Sequence, residues 1–276
     1  MRRAPLLALL LLAAVSIVPV TAHSAPGVNL RWDHCAGDGG TPNKDFACDV
    51  NTGLDRMVGS FVLDTGFTGL TGLYAHLHIA SVNTSLPAWW AFNGPGVFGC
   101  RGSSVSTEST PPAGSAACVD WSGGAALGNM DQLALGFPGP NDVRLRILSA
   151  VPAPANLAAG AEYFAFSLVV RHTKTTGTGA CAGCLEPAVI FLSGIDLNPG
   201  GPPVGTGVER RLTTGSSEPD SRWISWQRSH PVNITEQCAL LSDHGCITPL
   251  TDFDAVADAV TPTRSHTWAR VKSLYR

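Results

Sequence analysis

Alternating apolar and polar positions predict long β-strands in the middle of the chain. In the run GLYAHLHIASV, residues 72–82, apolar side chains take every second position, and a tyrosine and two histidines lie between them. A strand places successive side chains on opposite faces, so this run is predicted to have an inward apolar face and an outward polar one.

Two longer apolar runs, residues 161–171 and 188–197, are predicted to organise the fold. The first places one apolar series on a single face, formed by Phe164, Phe166, Leu168 and Val170. The second is rich in Val, Ile and Phe, which suit a pleated, half-buried surface. A loop rich in Gly and Thr joins them, and we expect the two strands to form a hairpin.

Shorter runs of the same kind recur along the chain, separated by turns rich in Gly and Pro. They fall near residues 30–32, 56–65, 131–137, 142–151, 208–213 and 221–227. About eight strands at this spacing predict an all-β fold, an antiparallel β-sandwich of immunoglobulin-, cohesin- or jelly-roll-like type. The end of the chain differs, because Ser265 is a good N-cap and Trp268 and Val271 follow at helical spacing, which predicts a short C-terminal amphipathic helix.

The first residues are a predicted export signal. The pair Arg2-Arg3 precedes an almost wholly apolar run, residues 6–18, and cleavage is expected after Ala22 or Ala25. No later run is long enough to span a membrane, so we expect a secreted protein, extracellular or periplasmic. The predicted divisions are a signal peptide (1–25), a disulfide-stapled β-sandwich domain (26–260) and an amphipathic tail (261–276).

Charge and composition bear on the kind of partner and on the source of the protein. The formal net charge is −3, and the charges are spread along the chain, which argues against a nucleic-acid partner. The abundance of Ala, Gly and Pro, with arginine preferred to lysine, indicates a GC-rich bacterial genome.

All eight cysteines follow the predicted signal peptide; they are Cys35, Cys48, Cys100, Cys118, Cys181, Cys184, Cys238 and Cys246. An even number in an exported chain predicts disulfides, although eight cysteines allow about a hundred connectivities. Spacing favours four local pairs, Cys35–Cys48, Cys100–Cys118, Cys181–Cys184 and Cys238–Cys246. A Cys-x-x-Cys redox pair is the alternative for the third, but no helix is predicted to follow it.

Trp89 and Trp90 are the candidate ligand-binding residues. Neighbouring residues on a strand point in opposite directions, so one of the two indoles is expected to be exposed. An exposed tryptophan offers a platform for a sugar ring or an anchor at an interface, and packing in the core is the alternative.

Two groups of residues are candidates for metal binding. Asp49, Asn51 and Asp55 place oxygen atoms at alternate positions, as calcium loops do, but a bidentate glutamate is missing and a solvated turn is the alternative. His76 and His78 lie on one predicted strand face and would reach a common ion, with ordinary surface histidines as the alternative. Apart from calcium, we expect no cofactor.

The sharpest short motif is Asp64-Thr65-Gly66, preceded by Phe-Val-Leu and followed by Phe-Thr-Gly. It resembles the active-site loop of retropepsin-like aspartic proteases. The resemblance implies that Asp64 is the catalytic acid/base and, since the motif occurs once, that the peptidase is a homodimer. The alternative is a hairpin turn between residues 56–65 and 72–82.

Three further motifs resemble a group of uncharacterised secreted bacterial proteins over most of the chain. They are Trp32-Asp33-x-Cys35, Cys181-Ala182-Gly183-Cys184-x-x-Pro187 and Thr267-Trp268…Lys272-Ser273-Leu274-Tyr275-Arg276. This resemblance implies compartment and fold class only. We therefore expect a secreted, non-catalytic binding or surface-structural module for polysaccharide or cell-envelope material, with the homodimeric aspartic peptidase as the alternative.

Overall fold

The computed structural model describes residues 25–81, 83–93, 98–136, 139–200, 210–213, 215 and 221–227. Over these residues the chain forms the strands β1 (Gly27–Trp32), β2 (Asn43–Lys44), β3 (Leu54–Val62), β4 (Phe67–Ser81), β5 (Val105–Glu108), β6 (Cys118–Val119), β7 (Leu127–Leu135), β8 (Asp142–Leu157), β9 (Glu162–Arg171), β10 (Ala188–Pro199), β11 (Arg210–Leu212) and β12 (Trp223–Trp226). Two short 3-10 helices, Ala36–Asp38 and Ala88–Trp90, interrupt them. The predicted signal peptide, the C-terminal helix and the Cys238–Cys246 pair lie outside the described residues.

The strands form two sheets with a shared core. The first sheet has the order β1-β3-β9-β5, and β6 also pairs with β9. The second has the order β2-β12-β10-β4-β8-β7, and β11 pairs with β10. All pairs are antiparallel except β6 with β9 and β2 with β12, which are parallel. The all-β, two-sheet prediction is confirmed, with mixed sheets. In the described part of the chain, no helix is long and apolar enough to cross a membrane.

The core lies between the two sheets. The inward positions of β4 are fully buried, as the alternation predicts; they are Leu73, Ala75, Leu77 and Ile79. They belong to one apolar cluster with residues of the first sheet, among them Met57, Phe61, Phe166 and Leu168. The outward positions His76 and His78 are buried as well, so the expectation of an exposed outer face is wrong for these two histidines.

A β-bulge changes the face of β9. Gly59 pairs with Phe166 and Ser60 pairs with Phe164, which leaves Ala165 as an extra residue. Phe166 therefore faces the core, whereas Phe164 belongs to a separate cluster on the other side of the sheet. The predicted single apolar face is wrong at Phe164. A glycine is needed opposite the bulge, because a Cβ at Gly59 would overlap the ring of Phe166.

Two predicted hairpins are connections between sheets. β9 and β10 lie in different sheets, and so do β3 and β4. In each pair, both strands turn an apolar face toward the same core. The alternation of apolar residues is therefore the same whether the two strands are neighbours in one sheet or lie in facing sheets. The runs near residues 131–137 and 142–151, which a turn separates, do form a hairpin: β7 pairs with β8, from Leu127 opposite Ala150 to Leu135 opposite Val143.

Three disulfides join distant parts of the chain. They are Cys35–Cys118, Cys48–Cys184 and Cys100–Cys181, with sequence separations of 83, 136 and 81 residues. The predicted pairs Cys35–Cys48, Cys100–Cys118 and Cys181–Cys184 are therefore wrong. Spacing along the chain is a poor guide here, because the sandwich brings together loops that are far apart in sequence. Disulfides of this number are typical of proteins in oxidising compartments.

Candidate functional site

Two loops joined to each other by a backbone hydrogen bond lie at the end of the sandwich where β4 finishes and β10 begins. Residues 83–93 follow β4, and residues 172–187 join β9 to β10. The second loop carries Cys181 and Cys184, which tie it to two other segments through disulfides. The backbone N–H of Trp89 donates to the carbonyl of Ala182 at 2.9 Å, which joins the two loops to each other.

Buried aromatic rings pack against these loops on the side of the core. Trp89 and Trp90 are both fully buried, and the ring of Trp89 stacks on Trp226 with centroids 4.9 Å apart. The indole N–H of Trp226 donates to the carbonyl of Cys184 at 2.8 Å. The expectation that Trp89 or Trp90 is exposed is wrong. These residues form a 3-10 helix, not a strand, and both indoles lie in the core.

A buried arginine holds the same loops together. The guanidinium carbon of Arg101 lies 3.5 Å from the centroid of the Trp89 ring, and Nη1 donates to the Trp89 carbonyl at 3.0 Å. Nε donates to the carbonyl of Thr173 at 3.1 Å, and Nη2 donates to that of Arg171. Burial lowers the pKa of Arg101 to about 9, so the side chain stays charged at neutral pH. Nothing in its sequence surroundings distinguishes this arginine.

An open cavity of about 620 Å³ lies between the two loops. Its lining is formed by residues 83–88 together with Ala182 and Glu186. The side-chain amide of Asn83 donates to the carboxylate of Glu186 across the cavity. Sequence reasoning missed this site. The signals available were a polar Asn-Thr-Ser run directly after a strand and a glutamate two residues after Cys184.

A partly buried ionic chain lies beside the start of the β9–β10 loop. Lys44 Nζ contacts Asp33 at 2.6 Å and Asp55 at 2.8 Å, and Asp55 contacts Nε2 of His172 at 2.8 Å. Burial opposes the charge of Lys44, but the two carboxylates outweigh burial and hold its pKa above the usual value. Nδ1 of His172 lies 3.0 Å from the carbonyl of Thr52. Both ring nitrogens are therefore engaged, which leaves neither for general-base catalysis.

Two of the three predicted calcium ligands, Asn51 and Asp55, are engaged in other contacts. Asn51 Oδ1 accepts the backbone N–H groups of Thr175 at 2.7 Å and Thr176 at 3.0 Å. Asp55 belongs to the ionic chain, and Asp49 lies exposed in the loop. Among the described residues, the one cluster of three potential His, Cys, Asp or Glu ligands is Cys35, Cys118 and Glu162. Its sulfurs form a disulfide, so they do not serve as thiolate ligands.

His76 and His78 also have different partners. Nε2 of His76 lies 2.9 Å from Asp196, and Nδ1 of His78 lies 3.7 Å from Asp142. Each ring is directed to its own carboxylate, an arrangement that does not favour a common ion. The pairs are cross-strand contacts on the outer side of the second sheet.

Asp64 lies in the exposed turn that carries the chain from β3 to β4. Its carboxylate accepts a hydrogen bond from Nη2 of Arg210, and the same arginine donates to the carbonyl of Thr65 at 3.1 Å. The turn connects the two sheets and is not part of a hairpin. The peptidase role of Asp64 stays a prediction, and nothing in these contacts favours it.

Comparisons with known proteins add no argument about the fold or the site. No protein-family model matches the chain, and no curated protein matches it. Among solved structures, a cohesin module from a family 33 glycoside hydrolase of Clostridium perfringens is similar. The identity is 8%, the TM-score is 0.27, and the match covers 68% of this chain and 97% of that module. A TM-score this low carries no argument about ligand or mechanism, so the fold assignment rests on the sheets themselves.

Proposed function

We propose that the protein is an exported, non-catalytic binding or surface-structural module, and that its ligand is polysaccharide or cell-envelope material. The observation that carries the proposal is the construction of one end of the sandwich. Two disulfides, the Arg101–Trp89 contact and a bond between loops hold an open polar cavity at the surface. A site that is ordered before binding loses less conformational entropy when its ligand arrives.

The engagement of the ionisable groups supports a non-catalytic role. Both nitrogens of His172 face acceptors, and His76 is buried against Asp196. The carboxylate of Asp64 is paired with Arg210. A catalytic acid or base needs a proton site that can reach the substrate. His172 has both nitrogens engaged, the ring of His76 is buried, and one oxygen of the Asp64 carboxylate is paired with Arg210.

The test is retention of the oxidised full chain on a panel of insoluble polysaccharides and cell-wall preparations, with calcium and with EDTA. We expect saturable retention on one class of material, unchanged by EDTA. Absence of retention on every material would overturn the proposed ligand class.

A further inference from the structure

We infer that the cavity between residues 83–88 and the Ala182–Glu186 segment binds neighbouring hydroxyl groups of a neutral sugar. The inference rests on the proposed function and names the place where the ligand is held. The tryptophans that would ordinarily stack on a sugar are excluded, because Trp89 and Trp90 lie fully buried beneath the cavity loops.

The cavity walls are fixed by main-chain contacts. Leu86 N–H donates to the carbonyl of Pro140 at 2.9 Å, and Glu186 N–H donates to that of Gly183 at 3.2 Å. Gly183 has a φ of +95° and lies so close to Pro87 that a Cβ would overlap that ring. The two loops therefore meet at a position that needs glycine, and the cavity is formed before any ligand enters.

The polar groups of the cavity suit a pair of hydroxyls. Asn83 uses one amide hydrogen for Glu186. This leaves a second amide hydrogen on Asn83 and further acceptor capacity on both side chains. One sugar hydroxyl can donate to the carboxylate while its neighbour accepts from the amide. The hydroxyls of Thr84 and Ser85 line the same cavity and are exposed.

Charge and shape define the ligand class further. Glu186 is the one charged side chain among the cavity lining residues, so an anionic ligand such as a uronate or a phosphate would be repelled. Leu86, which is half-buried, adds an apolar surface for the C–H face of a sugar ring. The volume of about 620 Å³ lies in the ordinary range of ligand cavities.

The test compares variants of the oxidised full chain on the neutral polysaccharide that retains the unaltered protein. Glu186→Ala and Asn83→Ala change exposed or half-buried loop side chains, and thermal unfolding checks that each variant folds. We expect each to weaken retention about tenfold or more, as the loss of one good hydrogen bond to a charged or amide group allows. Glu186→Gln, which keeps the shape and an acceptor oxygen, should weaken it less.

Asp64→Asn is the matched control. This substitution also removes one carboxylate. Asp64 lies before β4, however, whereas Asn83 follows β4. The 15 residues of that strand separate the two positions by roughly 45 Å. Retention of this variant should equal that of the unaltered chain.

The outcomes separate the two proposals. Equal retention of the Glu186, Asn83 and Asp64 variants would overturn the cavity assignment and leave the binding function standing. Retention confined to amino-sugar or acidic polymers would overturn the neutral-sugar class. If the unaltered chain is retained by no material, the proposed function itself fails.

Discussion

The guanidinium of Arg101 lies over the ring of Trp89, with its central carbon 3.5 Å from the indole centroid and the side chain fully buried. The same group donates to three main-chain carbonyls. One side chain thus satisfies the backbone of two loops and covers the face of an aromatic ring.

Replacing Arg101 should destabilise the protein strongly. Arg101→Ala removes the donor of three main-chain carbonyls, that of the buried Trp89 among them, and opens a cavity beside Trp89; we expect this to cost more than about 3 kcal/mol in the free energy of unfolding. Arg101→Lys keeps the charge but cannot reach three carbonyls from one ammonium, so about 1–3 kcal/mol is expected. Urea unfolding measures both. Arg171→Ala, at an exposed side chain close by, should cost less than about 1 kcal/mol; a similar cost at both arginines would contradict the account.

His76 should make stability depend on pH. Burial outweighs the attraction of Asp196 and, together with Arg211 and Arg144, lowers the pKa of His76. Among the described residues its Nδ1 has no hydrogen-bond partner, so a proton placed there would be buried without an acceptor. The folded state therefore binds fewer protons than the unfolded state below about pH 6.5, and stability falls as the pH decreases through that range.

His76→Gln provides the comparison, because glutamine keeps an N–H donor for Asp196 and does not titrate. Unfolding free energies measured at about pH 7.5 and about pH 5 should differ more for the unaltered protein than for this variant. The pKa of Asp196 is also lowered: burial opposes its charge, but His76 and nearby arginines outweigh burial. The contribution of Asp196 to the free energy of unfolding is lost only as the pH falls below about 4, which is outside the range from pH 7.5 to pH 5 compared here. An equal pH dependence in both proteins would exclude His76 as the source.

Disulfide mapping should recover long-range pairs. Digestion without reduction is expected to give peptides that link Cys48 to Cys184 and Cys100 to Cys181; an internal Cys181–Cys184 bridge in one peptide would refute the connectivity. Because Cys48–Cys184 closes a loop of 136 residues, Cys48→Ser with Cys184→Ser should cost about 4–5 kcal/mol by the loop-entropy argument.

Calcium should not stabilise the loop at residues 49–55. Asn51 already accepts hydrogen bonds from Thr175 and Thr176, and Asp55 is paired with Lys44. Binding an ion there would require breaking those contacts. We expect the same melting temperature in calcium and in EDTA. A decrease of several degrees in EDTA, abolished by Asp49→Asn, would show that the loop rearranges around an ion.

Strand faces could be predicted from the sequence, but strand partners could not. The inward residues of β4 follow from a period of two, which depends only on neighbouring positions. The pairing of β9 and β10 depends on which sheet each strand joins, and both choices bury the same side chains. A bulge at Ala165 adds a second difficulty, because one inserted residue exchanges the faces of β9 without any change in composition.

The site was hidden for a related reason. Trp89 and Trp90 have the residue type of a sugar platform, but exposure is decided by the 3-10 helix that contains them and by the loops above. Asn83 and Glu186 are ordinary loop residues, 103 positions apart, and only the packing of the two loops brings them together. The cysteine pairing could not be predicted for the same reason, because the spacing of cysteines along the chain does not show which loops meet across the sandwich.

The most direct test of the central claim is a depletion measurement on washed cell-wall material, with the supernatant analysed for both free protein and released fragments. We expect saturable loss of oxidised protein from solution, weakened about tenfold in Glu186→Ala, with no new reducing sugar ends and no new peptides. Release of fragments that stops in Asp64→Asn would contradict it and establish catalysis. Failure of the protein to bind the material at all would contradict it equally.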